Sequence, residues 1–306
     1  MKGYKAFYKN MIFKGDGYEK QYEENTTYEE NGNEVCKSGV MHFCENPFDV
    51  LNYYPLVDDN CNVAEFAEVE ALGDTFKKSV ADDKTATNKL HIGAKLNLKG
   101  FIKACIDFSL EKTKVENKSS GYYAKLASSG NYAKLASSGN GAKLASSGYC
   151  AKLASSGNYA QLASSGYCAK LASSGNYAKL ASSGNGAQLA SSGNYAQLAS
   201  SGYCAKLASS GYGAQLASSG DYAKLASSGD NAKLASSGED SVVCAAGINS
   251  IAKAMIGSWI TLSEWKYEED KGRCVPVCVK TEQVDGERIK EDTFYKLENG
   301  EFVEAK

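Results

Sequence analysis

Lysine recurs at positions 125, 134, 143, 152, 170, 179, 206, 224 and 233, and glutamine takes the same slot at 161, 188, 197 and 215. One long polar side chain therefore falls every nine residues. Eleven tyrosines lie in the same stretch, two or three positions before the polar slot. Cations interleaved with aromatic rings suit an anionic polymer, whose phosphates meet the ammonium groups and whose bases stack on the rings. They equally suit an extended protein partner, because repeat proteins commonly offer long binding faces. The candidate binding residues on this reading are Tyr123, Lys125, Tyr132, Lys134, Tyr149, Lys152, Tyr159, Tyr167, Lys170, Tyr177, Lys179, Tyr195 and Lys206. Residues 121–237 carry nine Lys against two Asp, a net charge of +7, and no Arg. That modest charge, without guanidinium groups to grip phosphates, ranks a protein partner above nucleic acid.

Other chemistry is thinner. The two thiols of CVPVC, Cys274 and Cys278, have a spacing that a metal could use, but no second Cys/His pair matches them and they read as strand residues. There is no phosphate-binding G-x-x-x-x-G-K-[S/T], no G-x-G-x-x-G, no H-E-x-x-H and no calcium-loop pattern. A calcium-binding nonapeptide roll needs an Asp in each repeat, and only Asp221 and Asp230 are present. No metal or cofactor is expected. Ten cysteines follow no framework spacing, and Cys150, Cys168 and Cys204 share a repeat position with Tyr, Gly or Asn. They read as free thiols in a reducing cytoplasm.

The elements that must position the lysines follow from the repeat. Thirteen copies of G-x-x-A-[K/Q]-L-A-S-S begin at Gly121 and end with the copy that starts at Gly229, with Gly, both Ala, Leu and both Ser invariant. Such a short fixed period is the signature of a stacked architecture. Glycine punctuation every nine residues rules out a helix, and a flexible linker has no reason to keep one Leu in phase thirteen times. Strand alternation sends Ala124, Leu126 and Ser128 inward and Lys125 and Ala127 outward. The Ser-Ser-Gly corner would use glycine's access to positive φ. Nine residues are too few for a closed coil, so two repeats per eighteen-residue coil are expected. The three Tyr-Cys copies begin at Gly148, Gly166 and Gly202, offsets of eighteen and thirty-six that put them on one edge of such a coil. Thirteen repeats then make six and a half coils, with Ser hydroxyl ladders and the backbone supporting the Leu stack.

Open stack ends template further pairing and call for caps. The spacing of Ile102, Cys105, Ile106 and Phe108 gives one apolar helical face, read as an N-terminal cap. Residues 241–269 replace Leu and small residues with Val, Ile, Met and Trp, as wider closing coils would. Asn299-Gly300 within FYKLENGEFVEA signals a hairpin with a type I′ turn. The expected organisation is a small α+β domain over 1–97, a helical cap and linker over 98–120, a β-solenoid over 121–237, and capping coils with a hairpin over 238–306. The overall class is mainly β. No stretch approaches about eighteen uninterrupted apolar residues and the first residues lack a signal-peptide core, so no membrane association is expected.

The first domain carries two resemblances. MKGYKAFYKNM with GVMHFCENPFDVLNYYPL, and IGSWITLSEW with IKEDTFYKLENGEFVE near the end, resemble a phage and gut-bacterial family. Its members join this N-terminal domain of unknown function to short tandem Gly/Ser-rich repeats. The resemblance implies a phage or prophage origin and supplies no activity. Separately, the run from Gly39 to Tyr54 is similar in layout to a segment of ADP-ribosyltransferase folds. That likeness implies a strand ending at Met41, His42 and Phe43 and a helix over 47–54. Tyr53 or Tyr54 would stack on nicotinamide, and Glu68 or Glu70 would be the catalytic acid. The chain departs from it: only Lys5 and Lys9 stand where such enzymes place Arg or His, no Arg precedes position 273, and no Ser-Thr-Ser-like element follows. A lone His42 beside Phe43 and Cys44 reads as structural. The favoured reading is non-enzymatic, a structural or interaction protein that presents its solenoid to a protein partner in the host cytoplasm. Polyanion binding and ADP-ribosyltransfer stand as the alternatives.

Overall fold

The structure is a computed structural model, and it describes residues 1–15, 18–32, 39–77, 83–112 and 121–305. The chain is mainly β, with a solenoid of about eight turns over residues 125–262 and a small N-terminal domain.

The N-terminal domain contains β1 (Lys2–Phe7), β2 (Ile12–Gly15), β3 (Tyr18–Gln21), β4 (Thr26–Glu29), β5 (Met41–Cys44), β6 (Glu65–Ala71), β7 (Thr75–Phe76), β8 (Lys84–Thr87) and β9 (Lys89–Leu96). Seven of these form one antiparallel sheet in the order β4-β9-β6-β1-β5-β8-β7, and β2 and β3 pair as a separate hairpin. Alternation along β1 sends Phe7 to one face, into a cluster with Phe43, Val69, Leu90 and Ile92. Ala6 goes to the other face with Cys44 and Phe66. There the sheet meets α1 (Leu98–Lys112), and the Phe66 and Phe101 rings stack at 3.6 Å between centroids.

Each nonapeptide contributes one strand of sequence [K/Q]-L-A-S. They are β10 (Lys125–Ser128), β11 (Lys134–Ser137), β12 (Lys143–Ser146), β13 (Lys152–Ser155), β14 (Gln161–Ser164), β15 (Lys170–Ser173) and β16 (Lys179–Ser182). They continue as β17 (Gln188–Ser191), β18 (Gln197–Ser200), β19 (Lys206–Ser209), β20 (Gln215–Ser218), β21 (Lys224–Ser227) and β22 (Lys233–Ser236). Three non-repeat strands extend the stack: β23 (Val242–Ala245), β24 (Ile251–Lys253) and β25 (Trp259–Glu268). Even-numbered strands build one parallel sheet and odd-numbered strands the other, so a coil takes two repeats. Each residue pairs with its equivalent eighteen positions on, as Leu162 does with Leu180. The first Ala and the Leu of successive repeats point between the sheets and form a continuous buried core. The stack closes on antiparallel partners. Strand β26 (Arg273–Gln283) pairs with β25, and β27 (Tyr295–Glu298) and β28 (Glu301–Glu304) extend the even sheet. Asn299 and Gly300 both have positive φ, 52° and 74°, as the type I′ hairpin requires. Cys274 and Cys278 are both on β26.

Three expectations change. The repeat glycine does not supply the left-handed corner. Positive φ falls two residues later, at Tyr159 (58°), Tyr177 (58°), Cys168 (55°) and Gly186 (67°), and the residue there donates its N–H to the coil above, Tyr177 to Asn194 O at 2.8 Å. The glycine is needed for close approach instead, since a Cβ on Gly175 would lie 2.0 Å from Gly157 O. Nor do the inward Ser hydroxyls ladder with one another along the repeat strands. From Ser128 to Ser227 the first Ser of each pair has its Oγ accept from the glycine N–H two residues on, as Ser191 does from Gly193 at 3.3 Å, and Ser236 bonds the Ser241 hydroxyl instead at 2.8 Å. Finally, α1 does not sit over the end of the stack. It lies across the outer surface of the even sheet against β10, β12, β14 and β16. The rest of the expected linker, residues 113–120, lies outside the described residues.

Candidate functional site

The two sheets share one repeat and meet different surroundings. The outer surface of the even sheet is covered by the N-terminal domain. Phe101, Ile102, Cys105 and Ile106 of α1 share an apolar cluster with Ala145, Ala163, Ala181, Ala199, Ala217 and Ala235. Beside this Ala stripe, residues 49–59 pass down the polar ladder almost one coil at a time. Buried Lys143 forms an ion pair with buried Asp49. Gln161 Nε2 donates to Asn52 Oδ1 at 3.0 Å. Lys179 Nζ donates to the Leu51 and Tyr54 carbonyls, the latter at 3.1 Å. Gln197 accepts from the Leu56 N–H at 2.8 Å and donates to the Val57 carbonyl at 3.3 Å. Gln215 reaches Asp59 Oδ1 at 3.4 Å, and Lys233 reaches the Asp59 carbonyl at 3.1 Å. Three of the four repeat glutamines are on this covered sheet, where an amide can donate and accept at once without the desolvation cost of a charge. Burial pushes the Lys179 ammonium down to about 8.

The odd sheet is open. Lys134, Lys152, Lys170, Gln188, Lys206 and Lys224 are exposed, and so are the Ala residues two positions after each, from Ala136 to Ala226. The Ala row and the adjoining Ser pairs line a shallow trough of about 1130 Å³ that ends at Cys244 and Ala246. A cationic ridge thus runs parallel to a flat, small-residue floor along six coils.

The corners carry the aromatic residues. Tyr159 stacks on Tyr177 and Tyr177 on Tyr195, with centroids 5.1 and 5.2 Å apart, on the corner entering the covered sheet. Tyr149 and Tyr167 stack at 5.6 Å on the corner entering the open sheet. Where the first corner position is Asn, its Oδ1 accepts the N–H one coil up, as Asn158 does from Asn176 at 2.8 Å. Such ladders stabilise the stack whether or not a ligand binds. Of the residues singled out in the sequence, Tyr132, Lys134, Tyr149, Lys152, Tyr167, Lys170 and Lys206 belong to the open sheet and its corner. Tyr123, Lys125, Tyr159, Tyr177, Tyr195 and Lys179 belong to the covered one, and Lys179 is spent on the domain contact. The docking strip at residues 49–59 escaped sequence reading. Its only signal was the concentration of Gln on alternate repeats.

The N-terminal domain holds a second concavity, of about 520 Å³, lined among others by Lys5, His42, Tyr53, Tyr54 and Lys84. His42, Tyr53 and Tyr54 are therefore together at one cavity, while Glu68 and Glu70, on β6, are not among its lining residues. The segment expected to be helical over 47–54 is a 3-10 turn over Pro47–Asn52, capped by Asn46, whose Oδ1 accepts the Phe48 N–H at 3.2 Å. Among the described residues no group of three His, Cys, Asp or Glu side chains is placed to hold a metal ion. No described helix is long and apolar enough to cross a membrane.

A family model for a domain of unknown function, DUF7666, matches residues 1–104, about a third of the chain. The match ends within α1, so the helix that docks on the solenoid begins inside the matched domain. No curated protein and no solved structure matches the chain.

Proposed function

We propose that the chain is a non-enzymatic structural and interaction protein, phage-encoded and acting in the bacterial cytoplasm, whose open sheet holds a protein partner. The observation that carries this reading is the covered sheet itself. There, the same Lys/Gln ridge and Ala floor accept a folded surface. An apolar helix face lies on the Ala stripe, and a segment of carboxylates, amides and backbone carbonyls lies on the ridge. The open sheet offers the same chemistry with a stronger charge, five Lys to one Gln against four Lys to three Gln on the covered repeats. Its partner is accordingly a protein that brings small or flat apolar residues to the floor and more carboxylates than the chain's own strip to the ridge.

A photo-crosslinking residue at Ala172, with Ala181 on the covered sheet as control, tests this in a bacterial lysate. The expected result is a discrete protein crosslinked from position 172 and lost when Lys152, Lys170 and Lys206 are changed to Glu. Capture of nucleic acid alone would replace the reading with polyanion binding. Capture of nothing from 172 would reduce the solenoid to a spacer.

A further inference from the structure

Strands β1 and β5 are neighbours in the N-terminal sheet but pair at a single position, Tyr4 with Cys44. Beyond it the pairing stops, leaving a gap in the ladder, and residues of both strands line the 520 Å³ cavity. Lys5 spans that gap. Its Nζ donates to the His42 carbonyl on β5 at 2.9 Å and lies 5.2–5.7 Å from the ring centres of Phe7, Phe13 and Tyr22. The side chain is buried, the residue being only 4 % exposed. No described carboxylate lies within ion-pair distance of it, and Glu30, the acid among the lining residues, is paired with Lys20 at 2.5 Å. A buried ammonium without a counter-charge is costly. One carbonyl and three ring faces satisfy part of it, but nothing described neutralises it.

A second, independent feature belongs to a residue of the same lining. Among the described residues the Tyr54 hydroxyl is buried without a hydrogen-bond partner. Native structures rarely leave such a group unsatisfied, and an exception calls for an explanation such as strain, a functional role or a bound water or ion. Phe13, Phe43 and Tyr53 supply an aromatic side to a lining that also holds Lys14, Glu30 and His42, and Lys84 completes it with its Nζ 4.9 Å from the Tyr53 ring centre. The volume falls within the range of about 300–1,000 Å³ usual for small-molecule sites.

We propose that this cavity binds a small molecule that joins an anionic group to a flat ring. The anion accepts from Lys5 and the Tyr54 hydroxyl, Lys84 adds a second positive charge, and the ring lies against the aromatic wall. A phosphate or a carboxylate supplies the same anion chemistry, and the experiment separates them. Binding of adenosine 5′-monophosphate and of benzoate to the full chain is measured by calorimetry, with adenosine and inorganic phosphate as half-ligand controls. The expected result is that one of the two whole probes binds, each control binds more weakly, and Lys5→Met weakens the bound probe about tenfold or more, the loss of one hydrogen bond to a charge. Lys5→Met removes a buried charge at nearly constant volume, so the ligand-free variant should melt no lower than the parent. Should it fail to fold, Lys84→Met is expected to weaken the same probe several-fold. The proposal is overturned if neither whole probe binds, or if whichever of these variants folds binds as tightly as the parent.

Discussion

Strands β15 and β16 have the same sequence, Lys-Leu-Ala-Ser, yet Ala181 of β16 is 4 % exposed beneath the N-terminal domain and Ala172 of β15 lies open to solvent. The inward side chains do not register the difference, for Leu171 and Leu180 are equally buried. What differs is what the outward slots have been matched to. The covered ladder is tuned coil by coil, with Lys where Asp49 or a pair of carbonyls waits and Gln where an amide or a backbone N–H must be met. The open ladder is nearly uniform Lys. A nonapeptide stack is therefore a scaffold whose interior is fixed by the repeat and whose faces are set by one variable residue in nine.

The largest effect should come from what the two sheets share. Gly175→Ala and Gly166→Ala would each place a Cβ 2.0 Å from a carbonyl oxygen of the coil below, the first at the corner entering the covered sheet and the second at the corner entering the open one. Backbone offers no flexible end to give way, so each should cost on the order of 5 kcal/mol, at the upper end for single substitutions. Thermal melts should show equal losses. Unequal losses would mean that the covering domain, and not the repeat alone, holds the coils in place.

Next comes the contrast between equivalent lysines. Lys143→Ala leaves Asp49 buried and unpaired and should cost about 3 kcal/mol or more, the penalty of breaking a buried ion pair. Lys152→Ala, on exposed β13, should stay within about 0.5 kcal/mol. Adding Asp49→Ala to Lys143→Ala should recover part of the loss. Denaturant unfolding of the four proteins decides this, and similar costs for the two lysines would dissolve the distinction between the sheets.

These contrasts also mark the boundary of what the sequence discloses. The period, the inward Leu, the two-repeat coil and the Asn299-Gly300 hairpin each follow from a local rule, because every repeat must bury its Leu on the copy below. The identity of the covered sheet follows from no local rule, since thirteen near-identical repeats look alike until a distant segment selects among them. Residues 49–59 meet partners 94 to 174 positions away. Periodicity reveals the apolar face of α1 but not its destination, so it reads as an end cap when its true seat is the Ala stripe. Lys5 is visible only as one more cation in YKAFYK, because its isolation arises where the pairing of β1 with β5 stops after one residue.

Overpacking gives a middle-sized effect. Ala163 is 3 % exposed against the N-terminal domain, so Ala163→Leu should cost about 1–3 kcal/mol or prise the domain from the sheet. Ala172→Leu on the open floor should cost almost nothing in stability, while obstructing any partner seated there. Equal melting temperatures for the two variants would mean that the covering is looser than the apolar cluster implies.

The smallest effect is electrostatic and falls on Lys179 of the covered sheet. Desolvation lowers the folded-state pKa of Lys179 from 10.5 to about 8. Below pH 8 the group is charged in both folded and unfolded chains, and the full burial cost is present. Between about 8 and 10.5 the folded chain releases this proton while the unfolded chain keeps it, so stability rises with pH through that window. From pH 7 to 9 the gain from this one group should be about 1 kcal/mol. Lys5, lowered to about 8 by the same cause, adds its own share to the parent slope. Lys179→Met should therefore flatten the rise without abolishing it, and Lys5→Met should flatten it independently. Denaturant titrations of the parent and the two variants across that range would reveal the slopes. A parent-like slope in Lys179→Met would place that ammonium in water and deny that the covered sheet is dry.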